Sequence, residues 1–365
     1  MSSELHVAFD VTQERINRTG VGRYATELLL RLRETDGLAL TGFSAPGIGG
    51  RGRLPKLVEI TRRDAAYYPV GLGRAARQAG AQVVHCPAPV PLYAPGVPAV
   101  ITVHDLLWME MPELFTVPVR AYHRLSLPAI RRASCVLADS HHTRAEVIDR
   151  LGVDPGRVRV AWLAADPRFA PRDVDRGWLR ERFGVRERYV LAVATREPRK
   201  NLATLLAAFE RLAARVNDCE LVLAGGRGWR SVELERTLSA VGDRVRVLGF
   251  VTDDELVSLY AGAACFAFPS LGEGFGLPVL EAMSCGTPVV TSDNTSLAEV
   301  AGNAALLIAD PRDSEGLEDA LARILESPEL SRRLTEAGLA RSAEFSWERC
   351  ARETLDVYRA VARAE

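Results

Sequence analysis

From end to end the chain alternates short β-branched runs with longer amphipathic segments, and that alternation admits few folds. Strands separated by helix-sized stretches run parallel, because a crossover helix is what carries the chain back to start a neighbouring strand in the same direction. Six strands are predicted in the first half, at LHVAFDV, LALTGFSA, AQVVHCP, AVITVHD, SCVLADS and VRVAWLA. Six more are predicted in the second, at YVLAVAT, CELVLAG, VRVLGF, ACFAFPS, TPVVTSD and ALLIA. Between the two series DPRFAPRDVDRG, rich in proline and charge, reads as a linker. A chain of 365 residues is long enough for two cores. The expected fold is α/β, with two doubly wound domains, residues 1–170 and 171–345, facing each other across a cleft. The tail after them reads as helical throughout.

No apolar run approaches the ~20 residues of a spanning helix, and MSSELHVAFD lacks the apolar stretch of a secretory signal, so a cytoplasmic protein is expected. The six cysteines, Cys86, Cys135, Cys219, Cys265, Cys285 and Cys350, form no CxxC pair and read as reduced buried thiols. A net charge of −1 gives no support to a nucleic-acid partner. Its distribution is uneven, because residues 1–170 hold 21 basic and 16 acidic side chains and the remainder 25 and 31. Much of the basic excess lies in RGRLPKLVEITRRD and VPVRAYHRLSLPAIRRAS, which read as solvated helix faces. A surface for an anionic or lipid-linked acceptor, with peripheral contact at the inner face of a membrane, is the minority reading.

In a doubly wound domain ligands meet the loops that leave the carboxyl ends of the strands. Four stretches lie there. In ACFAFPSLGEGFGLPVLEAMSCG a buried strand runs into a glycine-rich loop and then a helix, with Pro278 at its first position and Gly286 closing it. The backbone N–H groups from Phe275 to Leu277, with the positive end of the dipole, suit a phosphate. Glu273 and Glu281 flank that anion site, and carboxylates accept hydrogen bonds from paired sugar hydroxyls. The plainer alternative has Glu273 capping the helix and Glu281 in a surface ion pair.

YVLAVATREPRKN places a cationic turn after a strand. The chain has only two lysines, Lys56 and Lys200, among its 46 basic residues, so lysine at 200 departs from its habitual choice of arginine. A compact ammonium on a flexible stem suits a diphosphate oxygen. VITVHDLLW sets His104 and Asp105 at another strand end, while His141 and His142 read as the exposed start of a helix. RTGVGRYATELLLRL brings Gly20 and Gly22 before a helix start, where backbone can approach a ligand closely. It lacks the GxGxxG spacing of a dinucleotide fingerprint, which disfavours a nicotinamide enzyme. Asp173 and Asp175 have the spacing of a metal pair but read better as helix-start acids.

TGVGRY, VHDLLW, TREPRKN, GFVTDDEL and PSLGEGFGLPVLEAMSCGTPVV, in this order and at these distances, resemble the retaining glycosyltransferases of family four with the GT-B fold, and among them bacterial mannosyltransferases most. The likeness covers nearly the whole chain, including FSWERCARETLDVY, whose helix (residues 346–365) the resemblance returns to the first domain. It implies transfer of a hexose from a nucleotide-sugar donor, GDP-mannose favoured over a UDP- or dTDP-sugar, to an acceptor hydroxyl of a glycan, lipid-linked saccharide or small molecule. Configuration would be retained, with no metal and no further cofactor. By the same likeness Glu281 holds the ribose. Glu273 and Gly274, with the N–H groups of Phe275, Gly276 and Leu277, meet the donor sugar and phosphate, and Lys200 with an arginine meets the diphosphate. Backbone near Val251 meets the base, and His104 faces the sugar. Many relatives place an arginine about six residues before the lysine; Ala194 and Thr195 stand there in this chain, which leaves open whether Arg196 or Arg199 is the partner. The rival class is a non-catalytic nucleotide-sugar-binding protein of the same fold.

Overall fold

The computed structural model describes residues 4–16, 20–45, 63–228, 238 and 243–364. Most of RGRLPKLVEITRRD, Lys56 included, lies outside them, as do Arg18 and Thr19 of RTGVGRY. The chain divides into two compact units, Met1–Leu163 with Ser346–Glu365, and Ala164–Phe345.

The first unit is built on six parallel strands: β1 (Leu5–Asp10), β2 (Leu38–Phe43), β3 (Val83–Cys86), β4 (Ala99–Val103), β5 (Cys135–Ala138) and β6 (Val158–Val160). Their order in the sheet is β2-β1-β3-β4-β5-β6, so the direction of winding reverses between β1 and β3. Strands buried on both faces read as continuous apolar runs, and β3, β4 and β5 are buried at every position. Val84, Ile101 and Val136 form the centre of the core. Helix α1 (Gly20–Arg33) follows β1; α2 (Val117–Arg132) and α3 (His141–Leu151) flank β5 in sequence. Gly20 and Gly22 thus lie inside the first turn of α1 rather than in a loop before it. In α2 the apolar side chains Val117 and Leu125 face solvent along with Arg124, Arg131 and Arg132. Ser140 caps α3 by accepting from the Thr143 N–H at 3.0 Å, so His141 and His142 are helix-initial residues as expected.

The second unit repeats the plan with β7 (Arg188–Val193), β8 (Cys219–Ala224), β9 (Val245–Gly249), β10 (Cys265–Phe268), β11 (Val289–Ser292) and β12 (Leu306–Ile308). The order is β12-β11-β10-β7-β8-β9, and the reversal falls between β7 and β10. Helices α4 (Arg176–Phe183), α5 (Leu202–Arg215), α6 (Asp253–Gly262), α7 (Leu277–Ser284), α8 (Thr295–Ala301), α9 (Ser314–Glu326) and α10 (Pro328–Ser342) surround it. Asp175 caps α4 through the Trp178 N–H at 2.9 Å, the helix-start role rather than a metal ligand. The proline-rich stretch ahead of α4 is no free tether: the Phe169 ring lies buried edge-on against Tyr260, centroids 5.8 Å apart.

The last helix, α11 (Trp347–Arg363), belongs to the first unit. Trp347, Cys350, Thr354, Tyr358 and Val361 recur at helical spacing and form its buried face against α1, β3 and β5. The Tyr358 hydroxyl bonds His85 Nδ1 at 2.5 Å, and the His85 Nε2 bonds Thr102, which bonds the Tyr24 hydroxyl. All six cysteines are free and buried. Among the described residues no helix is long and apolar enough to cross a membrane.

Candidate functional site

Where a parallel sheet reverses its winding, the loops on either side leave in opposite directions and open a crevice at the carboxyl ends of the strands. In the second unit those are the loops after β7 and β10. The first carries Arg196, Arg199 and Lys200; the second carries Glu273 and the start of α7. Sheet adjacency brings together what the sequence separates by about seventy residues.

After β7 the chain stays extended as far as Arg196, which pairs with Arg227 in an isolated parallel bridge and sends its guanidinium to the Gly225 carbonyl at 2.8 Å. The turn Pro198–Lys200 then closes on Asn201, which adopts a left-handed φ of 55°. The Asn201 amide repays that conformation by donating to the Pro269 carbonyl at 3.0 Å, in the loop after β10. Thr295, φ 49°, is the other described non-glycine residue with positive φ, and its hydroxyl accepts the Glu273 N–H at 3.1 Å. Both left-handed residues therefore brace the Glu273 loop, and strain of this kind persists where the surroundings over-determine it.

Glu273 Oε1 accepts from Lys200 Nζ at 2.8 Å and from the Ser270 hydroxyl at 2.6 Å; Oε2 faces Arg199 Nη1 at 2.6 Å. Arg199 also donates to the Gly272 carbonyl at 2.9 Å and to Glu197 at 2.8 Å. Burial alone would raise the Glu273 carboxyl, but the charges of Arg199 and Lys200 outweigh it and hold the group at about 2. Burial, reinforced by the Arg199 charge, lowers Lys200 against the opposing pull of Glu273. The Glu197 carboxyl is raised, chiefly by burial. Two carboxylates and two cations thus compensate one another out of water. Between the two candidate arginines, Arg199 is the one that joins Lys200.

Helix α7 starts one residue earlier than expected, at Leu277, so that Pro278 is its second residue, and Gly276 precedes it with φ 110°. That backbone conformation favours glycine, and a Cβ there would also meet the end of the Leu297 side chain at 2.8 Å. No side chain caps the helix. Glu273 is turned toward the cations instead, and Ser296 bridges the Glu273 and Phe275 carbonyls at 2.8 Å each. Glu281 lies one turn inside, buried, with the Tyr260 hydroxyl donating to Oε2 at 3.2 Å. Neither plain alternative, a Glu273 cap or a surface Glu281, describes these side chains. Val251 sits in the short link between β9 and α6, where Thr252 and Glu255 close a capping box.

In the first unit His104 leaves β4 and Asp139 leaves β5. The last residues of these strands, Val103 and Ala138, are register partners, so the two side chains emerge as neighbours. His104 Nδ1 bonds Asp139 at 2.6 Å and Nε2 bonds the Pro87 carbonyl at 2.8 Å. A carbonyl only accepts, so Nε2 carries hydrogen. Burial would lower the His104 pKa, but Asp139 with the Pro87 bond raises it above the usual value, while burial raises the Asp139 carboxyl. The Tyr24 ring packs edge-on against His104 at 5.1 Å. Asp139, Glu197, Ser270 and Thr295 escaped sequence reasoning. Each is an ordinary polar residue whose relevance depends on strand pairing, and only a known register would have pointed to Asp139.

Residues 180–341 match the model for glycosyl transferases group 1, and residues 18–169 that for glycosyltransferase family 4. The chain is 34% identical over 378 residues to O-antigen chain mannosyltransferase B of Escherichia coli, covering 93% of this chain and 96% of that protein. Its fold is similar to that of sucrose-phosphate synthase from Thermosynechococcus elongatus, with TM-score 0.78, 21% identity, and 99% and 100% of the two chains covered. It is likewise similar to Alr3699/HepE of Anabaena in complex with UDP and glucose, with TM-score 0.74, 18% identity, and 98% and 100% covered. Two parallel six-stranded sheets wound as Rossmann-like units, together with a relative that matches along its whole length, make this chain a family-four glycosyltransferase of group 1, with the GT-B fold.

Proposed function

We propose that this glycosyltransferase moves a hexose, mannose from GDP-mannose in first place, to an acceptor hydroxyl, with retention of configuration and no metal at the diphosphate. The observation that carries the reading is the Arg199–Glu273–Lys200 cluster beside the start of α7, at the switch point of the second sheet. The mannosyltransferase relative supports the sugar, and the likeness to a UDP-bound fold supports a nucleoside diphosphate carrier.

In this reading Arg199 and Lys200 exchange part of their hold on Glu273 for the diphosphate, and the N–H groups of Phe275, Gly276 and Leu277 supply the rest of an anion cradle. Two fixed cations and a helix start stand where a divalent ion would otherwise neutralise the leaving group. Glu281 holds the ribose hydroxyls, the backbone at Val251 meets the base and Glu273 orients the sugar. The bond from the anomeric carbon to the diphosphate oxygen breaks as the acceptor oxygen bonds to the same face of that carbon. The acceptor proton passes to the departing diphosphate. A covalent route through Glu273 is disfavoured, because both its oxygens are already engaged and a carboxylate held at about 2 is a poor nucleophile.

The test is nucleotide release from GDP-, UDP-, dTDP- and ADP-sugars, with and without a chelator. Fastest release from GDP-mannose, unchanged by EDTA, is expected. Loss of turnover on chelation, restored by magnesium or manganese, would overturn the role given to Arg199 and Lys200. Binding without release would favour a non-catalytic nucleotide-sugar protein.

A further inference from the structure

The outer face of α2 is poorly suited to water. Among the described residues nine large apolar side chains stand exposed, and five of them, Val70, Tyr93, Val117, Val119 and Leu125, fall on α2 or in the segments bonded alongside it. The Tyr93 hydroxyl donates to the Leu125 carbonyl at 2.7 Å, and the Ala94 N–H donates to the Pro69 carbonyl at 2.9 Å, which brings the Val70 segment up to that of Tyr93. Single exposed apolar side chains are ordinary in a folded protein; neighbouring ones mark a surface that meets something.

Which way α2 faces is set by its inner side. Ser126, Ala129 and Ile130 are buried, and the His123 ring stacks on Trp108, centroids 5.5 Å apart. The opposite side carries Val117, Ala121, Arg124, Leu125, Arg131 and Arg132, all exposed, at i, i+4, i+7, i+8, i+14 and i+15. At about 100° per residue these positions span an arc of roughly 120°, so apolar and cationic side chains share one stripe along the helix. The charge of that stripe has one sign. Between Glu113 and Asp139 the chain has four arginines and no acid. Exposed arginines on three other helices stand one turn from an acid: Arg150 from Glu146 on α3, Arg323 from Asp319 on α9 and Arg332 from Glu336 on α10. Such pairing is how a solvated face is built, and α2 has no acid to build it with. The nearest acids before it, Glu110 and Glu113, precede the helix, at the end away from Arg131 and Arg132.

We propose that the outer face of α2, with Tyr93 and Val70 beside it, docks this protein on an anionic phospholipid surface. The mixture of side chains selects the occupant. At a bilayer interface Val117 and Leu125 enter the boundary of the acyl chains, the guanidinium groups stay at the level of the phosphates with their stems buried alongside, and the amphipathic Tyr93 ring suits the same level. A nucleic acid would meet the arginines but gain nothing from valine and leucine. No described helix is long and apolar enough to cross a membrane, so the contact is peripheral. The docking depends on neither the sugar nor the nucleotide of the reading above.

The test is co-sedimentation of the full chain with phosphatidylcholine vesicles, with and without phosphatidylglycerol. Wild type is expected to bind the anionic vesicles, to ignore the neutral ones and to be released by salt. Arg124→Gln combined with Arg132→Gln should weaken binding about thirtyfold, each arginine near an anionic surface being worth about fivefold. Val117→Gln combined with Leu125→Gln should weaken it about tenfold, whereas Leu30→Gln, which removes an exposed apolar side chain from α1, should leave it unchanged. All these positions are exposed, so the urea midpoints stay near that of wild type. A second measurement reports the face itself. Because all six native cysteines are buried, Val117→Cys takes a thiol-specific, polarity-sensitive fluorophore selectively, and so does Leu30→Cys. The label at 117 should shift to the blue on anionic vesicles and the label at 30 should not. The proposal is overturned if wild type ignores anionic vesicles, if either α2 pair binds as wild type does, if Leu30→Gln weakens binding as much as they do, or if the label at 117 stays in water.

Discussion

The two switch points solve the problem of a buried polar site in opposite ways. At the second switch point the four charges of the cluster match one another: Glu273 with Lys200 and Arg199, and Arg199 with Glu197. At the first, one oxygen of Asp10, a carboxyl that burial raises toward its neutral form, and the hydroxyls of Tyr67 and Tyr68 have no hydrogen-bond partner. The difference follows from what each kind of group costs when dehydrated. An unpaired buried charge costs several kcal/mol, whereas an unpaired hydroxyl costs about 1–3 kcal/mol, which a domain of this size tolerates a few times. A site for an anion has to be self-neutralising before its ligand arrives, so binding proceeds by exchange of partners.

The largest effect that would break this contrast is on stability. Arg199→Ala strips a partner from both Glu273 and Glu197 and leaves two carboxylates out of water around one lysine. A loss of about 3 kcal/mol is expected in urea unfolding, the range for a buried pair missing one member. A loss below about 1 kcal/mol would mean that the cluster behaves as a surface pair and that the two switch points do not differ in kind.

Glu273→Gln separates compensation from chemistry. The variant frees Arg199 and Lys200 from their competitor, so affinity for the free nucleoside diphosphate holds or rises while turnover falls about ten- to a hundredfold, the worth of one charge-assisted hydrogen bond. Calorimetry with GDP beside initial rates checks both halves; a fall in GDP affinity would contradict exchange. The pH dependence follows from the same group. Its folded pKa, about 2, lies below the ordinary 4.5, so its contribution to stability is full above the ordinary value and is lost as pH falls from there toward 2. Wild type should lose stability across that window by at most about 1.4 kcal/mol per pH unit from this group, and the Gln variant should lack that component.

Glu281→Gln is expected to be milder. The amide keeps the size of the buried side chain and can still accept from Tyr260. Diphosphate affinity should fall about tenfold through weaker acceptance of ribose hydroxyls. Deoxyribose diphosphates in place of GDP sharpen the reading: if Glu281 holds the ribose, the variant and the missing hydroxyl cost less together than their sum.

How much of this was visible beforehand follows from the period of each signal. All twelve strands stand where the predicted runs are, and the inner ones among them are buried on both faces, which leaves little other composition open to them. Lys200 and Glu273 were legible because strand ends are where ligands bind and because one lysine among so many arginines is conspicuous. Their salt bridge was not, since it depends on β7 and β10 being neighbours. Nor was the choice of Arg199, which turns on Arg196 being drawn to Gly225 by an extra bridge beyond β7. Tyr67 and Tyr68 passed unnoticed for a different reason. AAYYPVG carries neither a helical nor a strand period, Pro69 argues against any helix, and the π-helical turn that gathers both rings near Asp10 has no pattern to read.

The finest test lies within the first unit, between a tyrosine that is paired and one that is not. Tyr358 on α11 gives its hydroxyl to His85 Nδ1, and burial drives that imidazole to a pKa of about 3, so it stays neutral and needs a partner on each nitrogen. Tyr358→Phe deletes one partner, leaving a buried ring nitrogen unsatisfied, and should cost about 1 kcal/mol. Tyr67→Phe deletes a hydroxyl that bonds nothing and should change stability by less than about 0.5 kcal/mol. Hydrogen exchange at the β1 and β3 amides confines the comparison to this unit and removes any contribution from the other. Equal losses in the two variants would mean that Tyr67 has a partner in solution, and the contrast between the two switch points would go with it.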